Sequence, residues 1–144
     1  MLVQQILTSK AKGGVVTVPP AATLADAVAV LAEHRIGAVV VSEDGAGVAG
    51  ILSERDVVRE LARHGPSCLA FPVSRVMTAR ITTCAPGDPV TEVMQKMTDG
   101  RFRHLPVMEG QRMTGLVSIG DAVKARLSEL AMEKDALEGM IKGF

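Results

Sequence analysis

Apolar and polar residues recur along this chain with the periods of helices and strands. Over residues 23–31, apolar positions fall at i, i+3, i+4 and i+7 behind a Thr-x-x-Asp cap, which predicts an amphipathic helix ending near Gly37. After Asp88 and Pro89, a capping residue and a first-turn proline, the same period returns until Gly100 stops it. The sequence therefore predicts two comparable helices, one in each half.

Short apolar runs follow both predicted helices in pairs, and a turn separates the members of each pair. The runs are residues 38–41 and 48–52 in the first half and 105–107 and 113–117 in the second. They predict paired strands, and each pair leads into a further helix, at 54–64 and from Ile119 onward. With an opening strand that carries Thr17 or Thr83, each half has the order strand, helix, strand, strand, helix. We expect an α+β fold.

A seven-residue pattern occurs twice and indicates that the halves are copies of one unit. Residues 50–56 and 115–121 both read Gly, two aliphatic residues, Ser, two variable residues and Asp, 65 positions apart. Upstream the copies align at a spacing of 66, with Arg35 opposite Arg101, so one residue has been gained or lost in the turn after Val41. We interpret the chain as an internal duplication.

The duplication predicts how the chain is divided. The first repeat covers residues 1–66 and the second 67–131, related by a pseudo-twofold axis, with the breaker-rich stretch 65–72 between them. A unit of roughly 60 residues is too small to bury a good core alone, so we expect the repeats to pack together. Residues 132–144 would extend the last helix.

This last helix carries an apolar stripe that is longer than one repeat needs. Its positions are Val123, Leu127, Leu130, Leu137 and Ile141, with Lys134 as an interruption. At 1.5 Å per residue, a helix of about 20 residues would be about 30 Å long. Two interpretations stay open at this point: the end of the helix is an oligomerisation element, or it packs back onto its own core.

Composition argues against several classes of function. The 144 residues are 47% hydrophobic, and 16 basic side chains balance 16 acidic ones, so no overall field attracts nucleic acid or an anionic membrane. Three Phe and no Trp or Tyr leave few surfaces on which bases could stack. Cys68 and Cys84 lack metal-ligand spacing and are expected to be free thiols. No segment approaches the roughly 20 apolar residues that span a bilayer, and we expect a cytoplasmic protein.

The repeated motif has a structural and a functional interpretation. Ser53 with Asp56, and Ser118 with Asp121, form Ser-x-x-Asp capping boxes, which are common at helix starts. In the functional interpretation, the helix N-terminus also presents unpaired N–H groups to an anion. An Asp carboxylate one turn in can accept hydrogen bonds from a vicinal diol, as acidic residues do for ribose. Together these groups would suit a ribose and its phosphate.

A basic stretch distinguishes the two copies. Residues 101–107 read Arg-Phe-Arg-His-Leu-Pro-Val, whereas the equivalent residues 35–41 keep only the first arginine. A solvated edge strand protected by charge would explain this stretch without any ligand. If the basic residues bind phosphate instead, one of two related clefts should favour phosphate more than the other.

The doubled Gly-to-Asp motif, the Arg-His-Leu-Pro-Val strand and the duplication resemble the tandem CBS-domain module, also called the Bateman module. The resemblance extends from Ile6 to about Leu130. It implies a non-catalytic regulatory sensor with two clefts between the repeats, acting as a flat, disc-shaped homodimer. It also implies an adenosine-containing ligand: AMP, ADP, ATP or NAD, and less often S-adenosylmethionine.

Carried onto this sequence, the resemblance assigns a set of ligand-binding residues. They are Thr17, Ser53, Asp56, Thr83, Arg103, His104, Ser118, Asp121 and Lys124. The two aspartates would bind ribose, with the serines near ribose or phosphate, and the threonines would line the base pockets. Arg103 and His104 would contact phosphates of the nucleotide on Asp56, and Lys124 is a weaker phosphate candidate. Residues 37–38 lack the basic side chains that often stand there, so weaker phosphate binding is expected at Asp121.

Two other functions stay open. An enzyme could combine histidines with a cysteine nucleophile or a metal, and the residues concerned are His34, His64, His104, Cys68 and Cys84. None of these pairs has helical ligand spacing, and two of the histidines fall at predicted helix ends, where the dipole favours them. A protein-interaction module could instead work through the C-terminal helix without a small-molecule ligand. We expect no catalysis, no metal, no membrane and no nucleic acid, and an effector protein as a further partner.

Overall fold

The structure, a computed structural model, describes residues 1–10 and 14–142. Its helices are α1 (Val3–Ser9), α2 (Leu24–His34), α3 (Glu54–His64), α4 (Val73–Val76), α5 (Val90–Gly100) and α6 (Ile119–Ile141), with a 3₁₀ helix over Gly65–Ala70. Its strands are β1 (Thr17–Val18), β2 (Ala38–Val41), β3 (Gly50–Ser53), β4 (His104–Glu109) and β5 (Arg112–Ser118). The predicted α+β fold with a long C-terminal helix is confirmed. The last two residues of the predicted extension, 132–144, lie outside the described part.

The helix that precedes each strand pair is capped by an arginine. α2 stops at His34 and α5 at Gly100, and the next residue, Arg35 or Arg101, has a left-handed φ of 54° or 56°. Such φ values are uncommon for residues with a Cβ. In the first repeat Ile36 N–H donates to Leu31 O at 3.1 Å, a local bond typical of a left-handed helix end. The same type of turn therefore ends the helix in both repeats. The predicted end of the first helix, near Gly37, therefore lies a few residues beyond the observed end of α2 at His34.

The two sheets differ by one strand. β1 pairs parallel with β2, which pairs antiparallel with β3, whereas β4 and β5 form a two-stranded sheet. The strand predicted at Thr83 is wrong, because this segment makes only a single parallel bridge, at Cys84. Pro106 explains the difference: the equivalent Val40 donates its N–H to Val16 O at 3.4 Å, and proline has no N–H to donate.

Each repeat is completed by a segment that precedes the other repeat. α1 buries Val3 and Ile6 among side chains of the second repeat. The 3₁₀ helix and α4 bury Cys68 and Val73 among side chains of the first. We call α1 and α4, with the residues that follow each, the exchanged segments, 3–10 and 73–80.

Backbone hydrogen bonds hold the exchanged segments in equivalent positions. Those of α1 join Val3 N–H to Asp88 O and Gln4 N–H to Pro86 O, both at 2.9 Å. Those of α4 join Val73 N–H to Ala22 O and Ser74 N–H to Pro20 O, at 2.8 and 3.0 Å. The donors and the acceptors match between the copies, so the duplication includes these two segments as well.

The glycine that opens each repeated motif lies where an exchanged segment crosses the sheet. A Cβ on Gly50 would lie 2.7 Å from both the Thr78 carbonyl oxygen and the Met77 sulfur. A Cβ on Gly115 would lie 2.5 Å from a methyl carbon of Leu7, the counterpart of Met77. Close approach of another segment therefore explains both glycines.

Gly50→Ala is expected to lower the free energy of unfolding by about 1–3 kcal/mol, the range for overpacking. Gly115→Ala should cost less than about 1 kcal/mol, because the end of the Leu7 side chain can change rotamer. The Thr78 backbone cannot move freely, since it exchanges two hydrogen bonds with Ile51 at 2.8 and 3.0 Å. Urea denaturation of the two variants compares them directly. Equal losses would contradict this explanation.

The distal part of α6, residues 131–141, does not pack on the rest of the described chain. Ala122 and Ala125 are the buried residues of this helix. Leu127, Leu130 and Leu137 are 62%, 44% and 60% exposed. The interpretation in which the apolar stripe packs back onto its own core is therefore wrong.

Candidate functional site

Two clefts open between the repeats, one at each copy of the motif. The Asp56 cleft has a volume of about 670 Å³ and the Asp121 cleft about 500 Å³. Both lie within the range of about 300–1,000 Å³ that is usual for small-molecule sites. The predicted site residues in the first are Ser53, Asp56, Arg103 and His104, and those in the second are Ser118, Asp121 and again His104. Six of the residues proposed from the sequence therefore line a cleft.

The two clefts differ in charge. The cationic lining of the Asp56 cleft consists of Arg55, Arg59, Arg80, Arg101 and Arg103, and its acidic lining consists of Glu54 and Asp56. Apart from His104, Lys10 is the basic residue among the described lining of the Asp121 cleft, where Gly37 and Ala38 replace the basic strand. The basic stretch predicted that the Asp56 cleft carries more positive charge than the Asp121 cleft. Arginines on α3 and in the second exchanged segment increase this difference.

The motif forms a capping box at the start of both α3 and α6. Asp56 N–H donates to Ser53 Oγ at 3.2 Å, and Ser53 N–H donates to Asp56 Oδ2 at 2.9 Å. The bonds between Ser118 and Asp121 are 3.1 and 2.9 Å long. The structural interpretation of the motif is therefore correct. It does not compete with a ligand-binding role, because the bonds fix each carboxylate in the wall of its cleft.

The helix N-termini are less open to an anion than the motif suggests. Glu54 N–H donates to Gly37 O at 2.9 Å, and Ile119 N–H donates to Arg103 O at 2.8 Å. Since serine already accepts from the third N–H, two of the first three N–H groups of each helix have acceptors. The expectation of unpaired N–H groups facing an anion is corrected accordingly. An anion in the Asp56 cleft would meet arginine side chains instead.

Lys10 forms a salt bridge with the Asp121 carboxylate. Its ammonium group donates to Asp121 Oδ2 at 2.9 Å and to Leu116 O at 2.8 Å. Burial acts to raise the pKa of Asp121, but the hydrogen bonds from Ser118 and Lys10 outweigh it, so the pKa lies below its usual value. Asp121 is therefore ionised and already paired with a cation of its own chain.

His104 lines both clefts and stands between them. Burial lowers the pKa of His104, and the nearby Asp121 carboxylate offsets this only in part, while Lys10 adds to it. The imidazole is therefore neutral at neutral pH. His104 can exchange hydrogen bonds with a ligand in either cleft, but it does not contribute a positive charge.

Three residues proposed from the sequence line neither cleft: Thr17, Thr83 and Lys124. The segments that carry the threonines do reach the clefts, but the cleft linings end one residue before each threonine. Val16 and Thr82, one position earlier in each repeat, face the clefts instead. Lys124 follows Asp121 on α6, where its side chain is exposed outside the cleft.

The sequence interpretation missed Lys10 and Arg80, which occupy equivalent places in the two clefts. They are the last residues of the exchanged segments, which read Val-Gln-Gln-Ile-Leu-Thr-Ser-Lys and Val-Ser-Arg-Val-Met-Thr-Ala-Arg. This match was available in the sequence. It lies 70 positions apart rather than 66, so extending the alignment at constant spacing does not find it.

The structure offers little support for a cysteine nucleophile or a metal site. Cys68 and Cys84 are both free and buried. Burial and the neighbouring Asp88 carboxylate raise the pKa of Cys84 to about 11, so its thiol is a poor nucleophile near neutral pH. Within residues 1–10 and 14–142, no three His, Cys, Asp or Glu side chains converge to hold a metal ion. None of the described helices has the length and apolar character needed to cross a membrane.

Comparison with known sequences finds one family along most of the chain. The CBS domain family matches residues 3–63 and 73–128. A mitochondrial CBS domain-containing protein of Arabidopsis thaliana is 39% identical over 125 residues, which is 84% of this chain. The chain spans 61% of the length of that relative and 24% of a longer CBS domain-containing protein of the same plant.

Solved structures share the fold over most of the chain. The CBS-domain containing protein ATU1752 from Agrobacterium tumefaciens superposes with a TM-score of 0.83 at 42% identity, covering 88% of this chain and 99% of that one. A CBS domain protein from Pyrobaculum aerophilum, complexed with AMP, has a TM-score of 0.77 at 27% identity and covers 92% of this chain and 99% of its own.

Proposed function

The chain belongs to the CBS-domain family, and we propose that it is a non-catalytic regulatory module that binds an adenine nucleotide in the cleft at Asp56. The observation that carries this proposal is the lining of that cleft. It combines a fixed carboxylate, which suits a ribose diol, with arginines that suit phosphate. The AMP complex of the Pyrobaculum relative supports the choice of ligand class.

Each lining group has a proposed role in holding the nucleotide. Asp56 accepts hydrogen bonds from the ribose hydroxyls, and Ser53 lies beside ribose or phosphate. Arg103 binds phosphate, while neutral His104 hydrogen-bonds to it. Thr82, rather than Thr83, lines the base pocket. Ser118 and Asp121 form the corresponding, weaker site.

Isothermal titration with AMP, ADP, ATP, NAD and S-adenosylmethionine tests the proposed function. We expect at least one adenine nucleotide to bind and to raise the melting temperature, because a ligand that binds only the folded state stabilises it. Adenosine without phosphate should bind more weakly than AMP, since it cannot use the arginines. Inosine monophosphate is a matched control that keeps the ribose and phosphate. Absence of heat and of any thermal shift with the whole panel would refute nucleotide binding.

We also propose that the protein acts as a homodimer held by the distal part of α6. Residues 131–141 are the end of α6, and most of the stability of a protein helix comes from packing of its amphipathic face. All of this segment except Gly139 is exposed in the single chain. The same stripe on a second copy offers a self-complementary partner, as a twofold interface requires.

A protein partner is the second candidate function, and the same exposed stripe favours it. An effector helix could cover Leu130 and Leu137 as a second copy would. The two candidates differ in the free protein, because only self-association gives a mass that depends on concentration. Sedimentation of the purified chain therefore separates them.

A further inference from the structure

We propose that Lys10 sets the ligand preference of the Asp121 cleft, making it discriminate against neutral nucleosides in favour of ligands that carry an anionic group. This inference rests on the proposed function, in that it takes Asp121 as the acceptor for a ligand diol. It concerns a residue that lies outside both copies of the repeated motif.

While Lys10 is in place, hydrogen bonds occupy one of the two carboxylate oxygens of Asp121. Oδ2 already accepts from Ser118 N–H and from the Lys10 ammonium, both at 2.9 Å. A carboxylate oxygen has two lone pairs in its plane, so these two donors fill them. A diol that gives one hydroxyl to each oxygen of this carboxylate must displace Lys10 from Oδ2.

The charge of the ligand decides what that displacement costs. A neutral nucleoside leaves the ammonium of Lys10 with Leu116 O and water, so the ion pair is lost without replacement. A ligand with a phosphate or carboxylate group gives Lys10 a new anionic partner inside the same cleft. The pair is partly exposed, with side chains 40% and 23% accessible, so the energies involved are those of a screened contact.

The Asp56 cleft provides a natural comparison. Arg80 stands at the place equivalent to Lys10, yet within the described chain no carboxylate lies within 4.0 Å of it. Asp56 Oδ2 accepts from the Ser53 N–H and hydroxyl groups, and its other oxygen lies 3.7 Å from Arg59. A diol that reaches Oδ2 there has to displace only the Ser53 hydroxyl, which can rotate, and breaks no ion pair with a lysine. The matched segments therefore supply a free cation to one cleft and a paired cation to the other.

The test compares adenosine with AMP in the wild-type protein and in Lys10→Met. Amide NMR shifts of Ser118 report the Asp121 cleft, and those of Ser53 report the Asp56 cleft, so both affinities are measured in one titration. In Lys10→Met we expect adenosine to bind more tightly and AMP more weakly at Ser118. The AMP-to-adenosine preference should fall by about tenfold, because loss of the lysine strengthens adenosine binding and weakens AMP binding at the same site.

Two further variants control for charge and for folding. Lys10→Arg keeps the cation and should keep the preference. Lys142→Met removes the same charge at the far end of α6 and should change nothing. An unchanged preference at Ser118 in Lys10→Met overturns the role of Lys10, even if both ligands bind. If neither ligand shifts the Ser118 amide in the wild-type protein, the Asp121 site itself is refuted, whereas nucleotide binding at Ser53 is judged separately.

Discussion

Replacing Asp56 by asparagine is expected to weaken AMP binding about a hundredfold, which corresponds to about 2.7 kcal/mol. The carboxylate is the proposed acceptor for both ribose hydroxyls, and hydrogen bonds to a charged group contribute about 1.5–3 kcal/mol each. Asparagine can still accept from Ser53 N–H, so the capping box is retained and the loss reports on the ligand. Isothermal titration of AMP at constant salt measures the change.

Asp121→Asn is the matched variant, because it alters the same position of the other capping box. We expect it to change the AMP affinity by less than about threefold, since the Asp121 cleft lacks the arginines that line its counterpart. Urea denaturation of both variants should show comparable, small losses. Similar losses of affinity in the two variants would mean that the arginines do not decide which cleft binds first.

The double variant Leu130→Glu and Leu137→Glu is expected to convert the proposed dimer into a monomer. Burial of a leucine side chain contributes about 1.5–3 kcal/mol, and a twofold interface contains each residue twice. The dissociation constant should therefore rise by at least about a thousandfold, which corresponds to about 4 kcal/mol. Sedimentation velocity over a range of concentrations provides the measurement.

Ser128→Glu controls for the added charge on α6. Ser128 is exposed on roughly the opposite side of the helix from the leucine stripe, so this variant should remain dimeric. Deletion of residues 132–144 should give a monomer that still binds AMP, because neither cleft is lined by this segment. A wild-type chain that stays monomeric at every concentration would reject the homodimer and favour an effector protein on the stripe.

The local pattern of the sequence predicted most of the elements correctly. α3 begins and ends where the apolar period and its Ser-x-x-Asp cap place it, because cap and periodicity are both encoded within one short segment. The missing strand near Thr83 depends on a residue elsewhere, Pro106, whose lost N–H matters only once the two segments are neighbours. Pairing between distant segments is not visible in the local pattern.

The candidate site was predicted less completely than the fold. Asp56 and Asp121 lie in the cleft walls because the motif that caps each helix also positions them. Lys10 and Arg80 were missed because they arrive from the opposite repeat, by way of α1 and α4. A single basic residue after a short helix has no pattern of its own, so its place is set by tertiary packing.

The exchanged segments make the unit of duplication different from the unit of folding. A fragment that ended at His64 would contain a full copy of the motif, but it would lack Cys68 and Val73 from its core. The same fragment would expose Val3 and Ile6, whose burial depends on the second copy. A single repeat cannot be excised as a working half, and any change that separates the two copies must open both clefts at once.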